Sequence, residues 1–183
     1  MVIAWIIVGV VVVVALLIIG LYNALVRLKN QVDNSWAQID VQLKRRNDLI
    51  PNLIETVKGY AKHEKGVLTD VTKARTKMLQ AGSIEEKANA SNMLSNTLKS
   101  LFAVSEAYPD LKANQNFLQL QEELTGTENK ISYSRQNYND MVMRFNTKIE
   151  LFPNNVFAGM LNFTKRDSFV TPEKEKEVPK VKF

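Results

Sequence analysis

From Val2 to Leu21 the chain reads VIAWIIVGVVVVVALLIIGL, without one charged side chain. A helix of about 20 residues spans ~30 Å of hydrocarbon. Valine and isoleucine are mediocre helix formers in water. Lipid offers the backbone no partner, however, so the peptide groups must pair within the helix. The run predicts a transmembrane helix, with Trp5 and Tyr22 suited to the two interfaces. A cleaved signal peptide is the competing reading. It fits poorly: no basic stretch precedes the apolar core, the core is too long, and no convincing small-x-small site follows. No lysine or arginine precedes the run, whereas Arg27, Lys29, Lys44, Arg45 and Arg46 follow it. The positive-inside rule then predicts a single pass with the N-terminus outside and the bulk of the chain in the cytoplasm.

Of 183 residues, 45% are hydrophobic and 23% charged, a balance that lets the remainder fold. The absence of cysteine excludes disulfides, thiol catalysis and zinc–cysteine sites. A net charge of +5 without a basic stripe interleaved with aromatics argues against nucleic acid as a partner. His63 is the one histidine, and Glu64-Lys65-Gly66-Val67 after it supplies no second histidine for an HExxH metal site. Enzymes need a convergent nucleophile, base and oxyanion group. The sequence offers no such set and no glycine-rich phosphate loop, so it reads as non-enzymatic, with no catalytic residue, cofactor or metal.

Beyond the apolar run, periodicity is helical throughout. Val32, Trp36, Ile39 and Leu43 fall on one helix face, and Leu53, Val57, Tyr60, Glu64, Val67 and Val71 on another. Between these sets lies KRRNDLIPN, where Asn47 or Asp48 can cap a helix and Pro51 is tolerated in a first turn. The reading is a corner near Asn47 to Ile50, with a second helix running from Pro51 to Leu79 through Gly59 and Gly66. The alternative is one long helix kinked at Pro51 and packed as a three-helix rod. Asp40, Arg45, Arg46 and Asp48 form a candidate docking patch at that corner; the plainer reading is a solvated or paired charge group.

Ala81-Gly82-Ser83 supplies a stop, and Ser83 with Glu86 a capping box for a third helix from Ile84 to Ala107. Tyr108-Pro109-Asp110 ends it. A fourth helix is expected from Leu111 to Leu151. In it Phe117, Leu124, Ile131, Tyr138, Phe145 and Phe152 recur every seventh residue, which implies coiled-coil-like packing. Glu128, Asn129, Arg135, Asn137, Asn139 and Asn146 flank that seam, as buried pairs that fix register or as solvated groups.

Pro153 closes the fourth helix. Val156, Phe157, Met160, Leu161 and Phe163 then make a nearly uncharged segment, with Lys165 and Arg166 after it. Two readings stand: a short cap on the helical core, or a membrane contact with the basic pair on lipid headgroups. From Thr171 the chain, TPEKEKEVPKVKF, is proline- and charge-rich and is expected to be disordered.

These residues resemble the LemA family over nearly the whole chain. The resemblance rests on YNALV from Tyr22, IDVQLKRRNDLIPNLIETVKGYAKHE from Ile39, and VTKAR from Val71. It continues in AYPDLKANQNFLQLQEELTGTENKISYSRQNYN from Ala107 and FPNN from Phe152. It implies a membrane-anchored helical protein of the bacterial inner (cell) membrane, and one relative's part in forming magnetosome membranes hints at membrane organisation. It brings no catalytic residue.

The expected fold is all-α: an N-terminal transmembrane helix followed by an up-and-down antiparallel four-helix bundle. The expected organisation is an anchor over 1–22, a cytoplasmic bundle over 23–152, the apolar segment over 153–166 and a charged tail over 167–183. The expected role is a membrane-anchored scaffold for an unidentified membrane or cytoplasmic protein, or for further copies of itself as a homo-oligomer. The alternative is a lipid-contacting, membrane-organising protein. The lipid bilayer is a partner in either case.

Overall fold

The computed structural model describes residues 1–61 and 63–169. Among the described residues six helices follow in order: α1 (Val2–Tyr60), α2 (Lys65–Gln80), α3 (Ile84–Ser105), α4 (Pro109–Lys112), α5 (Gln115–Glu150) and α6 (Asn154–Met160). No strand occurs among the described residues, so the chain is all-α with an apolar N-terminal helix. The charged end of the chain, Val170–Phe183, lies outside the described residues.

The corner expected between Asn47 and Ile50 is absent, because α1 runs on through Pro51 to Tyr60. A proline inside a helix leaves the carbonyl four residues back without its N–H donor. That carbonyl belongs to Asn47, and Arg75 Nε donates to it at 3.2 Å. The break comes later. The Ala61 N–H closes a last turn on Val57 O at 2.8 Å, and α2 begins at Lys65. Gly59 thus lies in the last turn of α1 and Gly66 in the first turn of α2, rather than both inside one helix.

The capping box is formed. The Ser83 hydroxyl accepts from the Glu86 N–H at 3.1 Å, and the Glu86 carboxylate accepts from the N–H groups of Ser83 and Gly82. Those backbone donors hold the Glu86 carboxyl below the ordinary glutamate range. The long helix expected from Leu111 is interrupted at Ala113–Asn114. Asn114 Oδ1 there accepts from the Phe117 N–H at 3.0 Å and starts α5.

The chain divides into two compact units. Unit 1 comprises Met1–Ala37 and Asn137–Ser168; unit 2 comprises Gln38–Gln136 and the chain from Phe169.

In unit 1, every residue from Met1 to Gly20 is exposed. Past that point Leu25 and Val32 are buried, as are Tyr138, Val142, Phe145 and Ile149 of α5. Trp36 is half-buried, with its ring 5.5 Å from that of Tyr138. Asn137 donates to the Ser35 hydroxyl at 3.3 Å. Residues 35–36 of α1 therefore pair with 137–138 of α5, while Tyr22 and Phe145 both lie against Phe163. The two helices run antiparallel here.

In unit 2, Ile50, Leu53, Val57, Val71, Leu94, Leu101, Leu111, Phe117 and Leu124 form the core, and α2 and α3 pack against each other. Tyr108 donates to Glu64 at 2.9 Å, and Asn114 to the Tyr60 hydroxyl at 2.9 Å. Ile131 is fully buried. Phe169 is also buried, with the Arg135 guanidinium 4.8 Å from its ring centre. In unit 1 the Asp167 carbonyl accepts from the Tyr138 hydroxyl at 2.8 Å. Asp167 and Phe169 are therefore held, so a free tail does not begin at 167.

Candidate functional site: an apolar patch beside the end of the N-terminal apolar run

The chain leaves α5 through a cis Phe152–Pro153 bond and forms α6 at once. α6 ends in a Schellman turn. Asn162 takes the left-handed conformation, φ 56°, and the Phe163 N–H bonds to Ala158 O at 2.9 Å. Asparagine adopts that conformation more readily than most residues. The turn reverses the chain and sets the Phe163 ring edge-on to Tyr22, with centroids 6.4 Å apart, and edge-on to Phe145 at 6.3 Å.

Tyr22 is the first residue after the apolar run of α1. The reversal after α6 is therefore tied to the point where the apolar span ends. Around it, apolar side chains stand open. Phe152 is 81% exposed and Met160 75%, and Leu151, Val156 and Leu161 are exposed too. Five exposed apolar side chains within eleven residues make this stretch a candidate interaction surface.

The segment proposed from sequence thus splits by role. Val156, Met160 and Leu161 face outward, whereas Phe157 and Phe163 are half-buried. Phe163 serves the internal aromatic contact. Phe152, expected in the seven-residue seam, is exposed and stands with the open apolar side chains instead. Its position beside Pro153 was the signal, since a helical register cannot be carried through the end of the helix. Lys165 pairs with Glu150. Arg166 reaches Asp33 at 3.4 Å, and its backbone N–H and C=O are both held by the Asn146 amide at 2.9 Å. Neither cation stands free of a protein carboxylate.

The docking patch fares differently, residue by residue. Arg46 is fully buried, 0% exposed, and is not presented to a partner. It occupies the same seven-residue row as Ile39 and Leu53, where an apolar side chain would be usual. Its guanidinium donates to Ser91 Oγ at 2.8 Å, to Ser91 O at 3.3 Å, to Ser95 Oγ at 2.9 Å and to the Glu128 carboxylate. Burial lowers its pKa, against the pull of Glu128. A polar residue at a seam position fixes register at a cost in stability. Ser91 and Ser95 carry no distinguishing sequence signal, since a serine in a helix is ordinarily solvent-facing. Asp40 is paired with Lys87, Arg45 meets Glu123 at 3.7 Å, and Asp48 is exposed. Asp40, Arg45 and Arg46 thus tie α1 to α3 and α5, while Asp48 makes no such tie among the described residues.

Unit 2 also carries an open groove of about 1120 Å³ between the end of α1, α2 and α3. Ile54, Leu68 and Met93 line it, and Lys58, Lys65, Lys73 and Lys77 rim it. Thr69, Thr72 and Thr76 also line it, but each hydroxyl is turned back onto a carbonyl of its own helix, which leaves the methyl as the free end. His63 stands at its edge and is exposed. Among the described residues no group of three His, Cys, Asp or Glu side chains comes together as metal ligands.

The sequence model described as the LemA family matches residues 35–183. A protein LemA of Metamycoplasma hominis is 29% identical over 162 residues, covering 86% of this chain and 73% of that protein. Magnetosome protein MamQ 2 of Paramagnetospirillum magneticum is 24% identical over 174 residues, covering 81% of this chain. Magnetosome protein MamQ of Magnetospirillum gryphiswaldense is 22% identical over the same length. The chain spans 64% of each of these two MamQ proteins.

Proposed function

The chain belongs to the LemA family, and from that membership and the geometry above we propose that it is a non-enzymatic, membrane-anchored helical scaffold that touches the bilayer at two places. The first is the span Val2–Leu21. The second is the patch of Phe152, Val156, Met160 and Leu161. The observation that carries this reading is the Tyr22–Phe163 contact, which ties an exposed apolar surface to the end of the span. An apolar surface beside a bilayer gains by burying in the headgroup boundary. Two attachments restrain the tilt of α1 where one would leave it free. The four long helices form an up-and-down bundle in this reading, with the body in the cytoplasm of a bacterial cell and the N-terminus outside. The magnetosome proteins among the relatives favour a task in organising membrane.

Two measurements test it. Protease added outside intact cells should spare the body; digestion from outside would overturn the orientation. An environment-sensitive fluorophore at Met160 should shift to the blue when the full chain passes from detergent-free amphipol into nanodiscs. An unchanged spectrum would remove the second contact.

The groove favours one further role, the holding of a protein partner. An apolar floor under an ammonium rim suits an acidic amphipathic helix laid in the groove. A fluorescent acidic helical peptide should bind, and Lys65→Glu with Lys77→Glu should abolish binding. Equal binding by that variant would discard this role.

A further inference from the structure

Between α1 and the strap after α6, unit 1 encloses a cleft of about 490 Å³. It begins one residue past the membrane span. Tyr22, Lys29, Asn30, Asn162, Thr164 and Arg166 provide its polar lining, while Val26, Phe145, Leu161 and Phe163 line the rest. No carboxylate is among the lining residues. Lys29 is exposed and forms no ion pair among the described residues. Arg166 spends part of its charge on Asp33, at the long distance of 3.4 Å.

We propose that this cleft is a headgroup site for an anionic phospholipid. Two cations, two side-chain amides and two hydroxyls line one cleft, and two cations exceed what one carboxylate neutralises. Basic pockets at the end of a membrane helix take anionic lipid heads for this reason. The occupant is a lipid rather than a free phosphate because the cleft opens beside apolar surface on both sides. Leu17 and Ile18, a turn before Tyr22 in α1, and Met160 at the end of α6 with Leu161 after it are exposed and would receive acyl chains. The strap is built for the purpose: the Schellman turn at Asn162 and the double bond from Asn146 to the Arg166 backbone hold it against α1.

The inference rests on the second membrane contact proposed above. The test is native mass spectrometry of the full chain released from micelles doped with equal phosphatidylglycerol and phosphatidylcholine. The wild-type chain should retain phosphatidylglycerol in preference. Lys29→Gln, at an exposed position that the fold does not need, should cut that retention about fivefold, the worth of one lysine near an anionic surface. Lys29→Gln with Arg166→Gln should bring it to the phosphatidylcholine level, while Lys130→Gln, on an exposed part of α5, should leave it unchanged. Retention in Lys29→Gln equal to wild type would overturn the site. So would binding of glycerol 3-phosphate as tight as that of the lipid, which would make the ligand a soluble phosphate ester. A fluorophore at Met160 that stays blue-shifted in Lys29→Gln while retention is unaffected would leave the second contact intact and remove the headgroup site alone.

Discussion

The Arg75 Nε–H, 28 residues along the chain, donates at 3.2 Å to the Asn47 carbonyl that Pro51 deprives of its helical donor. A single tertiary hydrogen bond thus supports α1 where its own ladder is missing. It explains why a proline that should end a helix does not.

The pair predicts a coupled cycle. Arg75→Ala should cost about 1–3 kcal/mol, because it leaves a part-buried carbonyl unpaired. In a Pro51→Ala background the alanine N–H takes that carbonyl, and the cost of Arg75→Ala should fall sharply. Denaturant titration of all four proteins measures the coupling, and additive costs would refute the assignment.

Much of the fold was legible. The apolar N-terminal helix needs only composition and length to be seen. Ser83 and Glu86 announced α3 through capping chemistry, which is local. The seam of α5 from Phe117 to Phe145 followed from period alone, and Leu53, Val57, Leu124, Ile131 and Phe145 are buried as expected, whereas Trp36 of the first apolar face is only half-buried. The corner at Asn47–Ile50 was misread because its outcome depends on Arg75, a residue of another helix that no local rule consults. The true break at Ala61–Glu64 was bracketed by Gly59 and Gly66, but both glycines were absorbed into a helix assumed to start at Pro51. Arg46 was read as a docking residue or as a solvated or paired charge at a corner; placed mid-helix in a seam it is buried and paired with Glu128. In the segment over 153–166, composition marked an apolar stretch. It could not separate Met160 from Phe163, because that depends on the reversal at Asn162.

Arg46 and Glu128 should behave unequally. Removing the carboxylate by Glu128→Gln leaves a buried guanidinium short of its counter-charge. The loss should be measurable but less than the ~3–5 kcal/mol of a fully buried pair, since Glu128 is partly open to water. Arg46→Met removes the buried charge itself and should be close to neutral or stabilising. Thermal or denaturant unfolding decides, and a larger loss in Arg46→Met than in Glu128→Gln would contradict this ordering.

The capping box gives a pH dependence. Glu86 has its folded pKa depressed by the Ser83 and Gly82 N–H groups. A depressed carboxylate adds stability above its unfolded value, about 4.3 for glutamate, and loses it as pH falls through the lower folded value. The wild-type chain should therefore melt above Glu86→Gln at neutral pH, and the gap should close on acidification. A gap that persists below the carboxylate range would assign the effect to something other than charge.

The claim at the centre of this account is that the body touches lipid a second time. Spin labels at Val156 and Met160 in nanodiscs measure it most directly, through their collision rates with oxygen, which concentrates in lipid, and with a water-soluble nickel chelate. Tyr133, exposed on α5, serves as the reference. The account predicts oxygen-dominated collisions at Val156 and Met160 and nickel-dominated collisions at Tyr133. Nickel-dominated collisions at all three sites would contradict it and leave the chain attached by its span alone.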